Sequence, residues 1–198
     1  TDPFSRNKEM AYTVLFKAWG AKYQEGSECS QAEAIGLRCL SARGWLDELR
    51  RLNLPAILLM QDKQGRKFNA TLTGLDERSA TFTIGDASRA VPLAAFAAQW
   101  SGHYTLLWRV PPVASKQLRL GDYGPDVEWL GKQLAQLDGK GATTTNQLYD
   151  EAMMRQVKQF QLSQGLISDG FVGPQTMMHL SAAIEASVQK LHREQEKK

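Results

Sequence analysis

This chain is short of the residues that announce most chemistries. Its 198 residues carry a formal net charge of only +3, too small a bias to argue for a nucleic-acid partner. No apolar run approaches the roughly 20 residues of a membrane-spanning helix, and the stretch from Pro55 to Met60 falls far short. No basic, apolar leader is visible, so any anchor or export segment is expected to lie outside this chain. No glycine-rich loop ends in Lys-Ser or Lys-Thr to cradle phosphates. Histidine is scarce. His103, His179 and His192 are scattered, with no HExxH spacing, and read as surface or half-buried side chains rather than ligands. Neither a metal nor a cofactor is expected.

Cysteine is scarcer still: Cys29 and Cys39, with nine residues between them. In an oxidising compartment they can pair and close a short loop worth about 2–3 kcal/mol. Two reduced thiols, or one thiol nucleophile, fit the same spacing. The residues alone leave all three open.

What the chain does have is local order. The composition is that of a globular protein, 42% hydrophobic and 23% charged, in a length that holds one medium domain or two small ones. Lys8 to Trp19 reads as an amphipathic helix with Met10, Val14, Leu15, Ala18 and Trp19 on one side, ended by Gly20. Ser30 to Ile35 reads as a short helix, and Trp45 to Leu52 as another, stopped before Pro55. Strand signals follow at Ala56–Met60, Lys67–Thr73 and Ala80–Ile84, with a hairpin turn at Gly74-Leu75-Asp76-Glu77. A short helix from Val91-Pro92 through Phe96 to Trp100 and a last strand at Tyr104–Val110 complete an α+β first half.

Val110-Pro111-Pro112-Val113-Ala114-Ser115 then reads as a linker, because two prolines disfavour helix and supply no ladder donors. Beyond it, helices are expected over Pro125–Leu137, Asp150–Gln164 and from Pro174 into a charged tail. Pro125 and Pro174 suit first helical positions, and Gly165 suits a C-cap. A weak repeat lays Leu148-Tyr149-Asp150-Glu151-Ala152-Met153-Met154 over Val172-Gly173-Pro174-Gln175-Thr176-Met177-Met178. The expected boundaries are 5–110, a linker at 111–117, a helical module at 118–183 and a tail at 184–198.

Two resemblances sharpen this reading. Cys29 at a helix start resembles the C39-type cysteine peptidase domain, which is papain-like. So do Leu52-x-Leu54-Pro55-Ala56-Ile57-Leu58, Lys67-Phe68, Gly85-Asp86 and Phe96-x3-Trp100-Ser101-Gly102. The resemblance implies a histidine at the start of the Lys67-Phe68 strand and an aspartate near Asp86. Here that slot holds Lys67, or its neighbour Arg66, and His103 lies on another element. Without an imidazole no base activates the thiol. The domain is therefore expected to be inactive, with Cys29 bonded to Cys39. The alternative is an active cysteine peptidase or wall hydrolase with Cys29 as nucleophile.

The helical module resembles the type 1 peptidoglycan-binding domain, a three-helix fold. The matching residues are Gly121, Gly124, Asp126, Val127, Leu130, Val157, Phe160, Gln161, Gly165, Leu166, Asp169, Gly170, Gly173, Pro174, Thr176 and Leu180. The family's first Asp-Gly motif is degraded here to Thr145-Asn146-Gln147-Leu148-Tyr149, with Met153 at the threonine position. Most matching residues read as core, turn and cap. A rim of Arg119, Tyr123, Tyr149, Asp150, Asp169, Gln175 and Thr176 is expected to hold a stem peptide, since helix N-termini favour carboxylates.

The pairing of the two domains resembles the periplasmic region of the GspA/ExeA family of type II secretion. The stretches Gly36-Leu37-Arg38-Cys39-Leu40, Leu52-Asn53-Leu54-Pro55-Ala56 and Trp100-Ser101-Gly102 carry that likeness. It implies a non-catalytic periplasmic region that binds peptidoglycan and helps transport or assemble the secretin at the wall. It also implies an ATPase domain and membrane span outside this chain, a GspB-type inner-membrane partner, a secretin contact, and self-association on peptidoglycan.

Overall fold

The computed structural model describes residues 8–111, 117–138 and 147–184. The charged tail, His192, Thr145-Asn146 and most of the expected linker lie outside the described residues. The chain divides into two compact units, with the change between Trp108 and Arg109.

The first unit runs α1 (Lys8–Ala18), α2 (Glu28–Ala34), β1 (Leu37–Arg43), α3 (Leu46–Leu52), β2 (Ala56–Gln61), β3 (Lys67–Leu75), β4 (Ser79–Ile84), β5 (Ala87–Pro92), α4 (Leu93–Ala97) and β6 (Trp100–Arg109). The strands form one sheet in the order β1-β6-β2-β3-β4-β5. β2 pairs antiparallel with both β3 and β6, and β4 antiparallel with β3 and β5.

Register decides which side chains meet which helix, because neighbours in a strand face opposite ways. Ile57 is opposite Thr71 and Thr105. Thr71 Oγ1 donates to the Ala11 carbonyl at 3.0 Å, so this face carries α1. Leu58 is opposite Ala70 and Tyr104, on the other face. There the Tyr104 hydroxyl donates to Glu48 of α3 at 2.9 Å, and Phe82 packs on Phe96 of α4 with ring centroids 5.8 Å apart. Ala56, Leu58, Leu72 and Leu106 are fully buried between the sheet and α3–α4. Each leucine there contributes about 1.5–3 kcal/mol by leaving water.

Several expectations shift. Met10 is 41% exposed. α1 buries Ala11, Tyr12, Val14, Leu15 and Phe16 instead, and Tyr23 packs on Tyr12 and Phe16. Trp45 caps α3 from outside and is 84% exposed. Gly74 lies inside β3, where the register slips by one residue. The turn comes later, because the Asp76 carboxylate accepts from the Arg78 and Ser79 amides, each at 2.6 Å. β1 and β5 have no counterpart in the sequence reading.

The second unit contains α5 (Pro125–Leu137), α6 (Glu151–Ser163) and α7 (Pro174–Ile184). α5 and α6 begin and end within a residue of expectation, and α7 begins at Pro174 as expected; the tail into which the third helix was expected to run lies outside the described residues. Pro125 occupies the first turn of α5. Asp150 caps α6, its carboxylate accepting from the Met153 amide at 2.8 Å. Gly165, at φ +68°, follows the α6 C-cap.

Candidate functional site

One short segment, Leu118 to Gly124, with a turn at its middle, ties the loops that precede α6 and α7. Leu118 and Val172 exchange backbone hydrogen bonds at 3.2 and 2.8 Å. Five residues on, Tyr123 bridges Leu148. Gly121 donates to the Tyr149 carbonyl at 2.9 Å, Tyr149 to that of Asp122 at 2.8 Å, and Gly124 to that of Gln147 at 2.9 Å. The repeat is visible here: Leu148 and Val172 each bridge the same segment, and a helix starts just after each. The segment thereby gathers the starts of α5, α6 and α7. Helix N-termini offer unpaired amides and a positive dipole end, which suits carboxylates. Asp126 and Glu128 already answer that dipole in α5, and Glu151 in α6. The first turn of α7 carries no acidic residue.

The loop between α6 and α7 is held by one buried side chain. Gln161 is 1% exposed. Its amide nitrogen donates to the Phe171 carbonyl at 2.8 Å, Asp169 Oδ1 at 3.0 Å and Thr176 Oγ1 at 3.2 Å. Its oxygen accepts from the Gly170 amide at 2.9 Å. Gly170 sits at φ +79°, and a methyl group there would lie 2.9 Å from Met154 Cγ. Its carbonyl accepts from the Tyr149 hydroxyl at 2.7 Å.

This network corrects the expected rim. Tyr149 is fully buried and Thr176 is 5% exposed, so both build the loop from inside and neither lines the surface. Burial, with the Asp169 and Asp122 carboxylates nearby, pushes the Tyr149 hydroxyl well above its ordinary pKa. Asp150 is engaged as a helix cap. Asp169 is exposed but occupied. Its carboxylate accepts from the Phe171 amide at 2.9 Å and from Gln161, which hold its pKa below the usual range. Arg119, Tyr123 and Gln175 remain on the surface, Tyr123 with 75% of its area exposed.

Leu148, not anticipated, is 45% exposed on the strand position opposite Tyr123. Beside it, Gln147 donates to Glu128 at 2.9 Å and Lys132 to the same carboxylate at 2.8 Å, which lowers the Glu128 pKa. The exposed surface at this end of the module thus includes the aromatic–aliphatic pair Tyr123 and Leu148, with Arg119 and Leu120 on the same segment as Tyr123.

The peptidase-type landmarks of the first unit are disposed otherwise. Cys29, in the first turn of α2, is bonded to Cys39 of β1, with Cα atoms 5.5 Å apart. Neither cysteine is free. Lys67 opens β3 and is exposed. Arg66 pairs with Asp62 at 2.9 Å. Asp86, in the turn between β4 and β5, pairs with Lys17 of α1, which lowers its pKa. His103 is exposed, its ring 3.4 Å from Ser101 Oγ. His179, expected at or near the surface, is buried at 2% exposure, with Nδ1 3.2 Å from Gln164 Oε1.

The fold and module define the class: an α+β unit built on an antiparallel sheet, followed by a peptidoglycan-binding module with three helices among the described residues. Residues 123–180 match the peptidoglycan-binding domain family. The chain is similar to general secretion pathway protein A of Aeromonas hydrophila, at 30% identity over 96% of this chain. It spans about a third of that relative, 35% of its length. A crystallised periplasmic domain of the EpsAB fusion protein of the Vibrio vulnificus type II secretion system has the same fold. The TM-score is 0.64 at 23% identity, covering 92% of this chain and 82% of that one. The chain is a GspA/ExeA-like region.

Proposed function

We propose that this chain is a non-catalytic periplasmic region that binds peptidoglycan and helps transport or assemble the type II secretin at the cell wall. The match of residues 123–180 to the peptidoglycan-binding family carries the reading. The general secretion pathway relative supplies its setting. A GspB-type inner-membrane partner, a secretin contact and self-association on the wall belong to the same proposal.

Three observations support a first unit without peptidase activity. The cysteine sulfur is bonded to a second cysteine. A lysine stands at the expected histidine position. The aspartate at the third landmark is paired with Lys17. The unit then acts as a spacer or protein contact.

Arg119, Tyr123 and Gln175 are the surface residues proposed to meet the stem peptide. Small single modules bind at about millimolar strength, near −4 kcal/mol, and repetition in an oligomer raises retention without new contacts. Purified sacculi should therefore sediment a cross-linked oligomer strongly and the monomer weakly. Failure of both to sediment overturns the proposal. Labelling of Cys29 by a thiol-directed electrophile in the unreduced protein would favour the hydrolase alternative.

A further inference from the structure

The second unit has a concavity that the peptidoglycan reading leaves unused. It lies along the C-terminal halves of α5 and α6, is closed by Ala183 of α7, and encloses about 320 Å³. Leu134, Leu137 and Asp138 line it from α5, and Gln156, Gln159 and Phe160 from α6. Gln156, Gln159 and Phe160 share one face of α6, being three and four residues apart. The packed face of α6 is Met153, Val157 and Gln161. On its flank Gln156 and Gln159 are exposed beside the half-buried ring of Phe160, with Leu134 and Leu137 of α5 opposite.

The chemistry of the groove selects a neutral ligand. Among the described residues its lining holds no lysine or arginine, and the one charge there, Asp138, stands at the C-terminal end of α5. That end already carries negative dipole charge, so a carboxylate entering there is repelled from both sources. The stem peptide, with its carboxylates, fits the Arg119 surface and not this groove. Each glutamine offers a carbonyl acceptor and two N–H donors, the complement of an acetamido group. Phe160 and Leu134 supply an apolar wall for an acetyl methyl and the C–H face of a pyranose. The volume sits at the low end of small-molecule sites, about 300–1,000 Å³, which suits one sugar ring.

We infer that this groove binds an N-acetylated hexosamine of the glycan strand, through Gln156 and Gln159. The inference rests on the peptidoglycan reading but concerns a separate surface. The test is an NMR titration of the full chain with three probes in parallel: an N-acetylglucosamine trisaccharide, maltotriose and a free stem tripeptide. The N-acetylated sugar should shift the side-chain amides of Gln156 and Gln159, and maltotriose should not. A combined Gln156→Ala and Gln159→Ala variant, with its remaining spectrum unchanged, should bind that sugar about tenfold more weakly. Equal shifts with maltotriose, or shifts from the tripeptide alone, overturn the inference. So does an unmoved groove at tens of millimolar sugar when the chain still sediments with sacculi. Loss of sedimentation with the groove still responding would instead sink the wall-binding proposal and leave the groove standing.

Discussion

Replacing Gln161 by leucine should loosen the α6–α7 loop more than any surface change in the module. The side chain is 1% exposed and joins four groups of that loop and of α7. Leucine is similar in size, so the change removes hydrogen bonding and little packing. The Gly170 amide would be left buried with no acceptor, a cost of about 1–3 kcal/mol. The Thr176 hydroxyl retains a long contact to the Phe171 carbonyl at 3.4 Å, and the Asp169 carboxylate rehydrates. Part of the loss is offset by the added apolar surface. The net expectation is about 1–3 kcal/mol. Native-state hydrogen exchange on the full chain reads it locally: Gly170 and Leu166 amides should lose protection, while β2 and β6 amides of the first unit should not. Gln161→Glu separates hydrogen bonding from shape. Its carboxylate still accepts from Gly170 but faces Asp169, so the loss should be large at neutral pH and smaller when the carboxyl is protonated near pH 4. Unchanged exchange at Gly170 in Gln161→Leu would refute the idea that this amide organises the loop.

Tyr149→Phe should cost about 1 kcal/mol or more in urea unfolding, by stripping the Gly170 carbonyl of its donor, and leave sacculus binding intact. Tyr123→Ala should do the reverse, shifting stability by no more than about 0.5 kcal/mol while weakening sedimentation with sacculi. Reduction of the Cys29–Cys39 bond, with 10 residues of separation, should lower stability of the first unit by about 2–3 kcal/mol, read by urea unfolding with and without reductant. Asp76 and Asp169 have folded pKa values below their unfolded ones, so both bind protons more readily when unfolded. Their stabilising effect is present above an unfolded pKa of about 4 and is lost as pH falls through the depressed values. Stability should decline in that window, and Asp76→Asn should flatten the decline; a pH-independent stability from pH 2 to 6 would contradict this.

The strands the sequence concealed are the two edges of the sheet. β2, β3, β4 and β6 are flanked on both sides and are rich in Leu, Ile, Phe and Thr. β2 reads as a buried apolar run, and β3 and β4 as looser and clearer alternation, so their side chains report burial directly. β1 and β5 have one neighbour each. Ala87-Ser88-Arg89-Ala90-Val91-Pro92 is almost wholly exposed, so nothing in its side chains needs to alternate. Its six residues are strand because β4 supplies a ladder along their whole length. Tertiary pairing, not intrinsic preference, sets such segments. In the helical module the start and stop residues decide locally, which is why Pro125 and Gly165 could be assigned from the sequence, whereas Asp150, read there as a rim residue, is the α6 cap.

The rim shows where local reading runs out. Tyr149 and Leu148 are neighbours in an extended stretch, so one must face in and the other out. Composition favours placing the hydroxyl-bearing ring outside and the aliphatic chain inside. The structure does the opposite, because the ring spans to the Gly170 carbonyl and fills the space between two loops, burying its hydroxyl with a partner. A buried tyrosine is inexpensive once its oxygen is paired. Leu148 is then turned outward onto Tyr123 by the same bridge. Thr176 follows the same logic: one residue after exposed Gln175, it points into the helix packing, where Gln161 reaches it. Two of the seven expected rim residues, Tyr149 and Thr176, are therefore the inner wall of the loop. The surface left for a wall ligand at this end is smaller and more apolar, with Arg119 its one cation among the residues singled out. On the proposed function that surface meets one stem peptide per module, and tight retention on the wall then comes from repetition of the module.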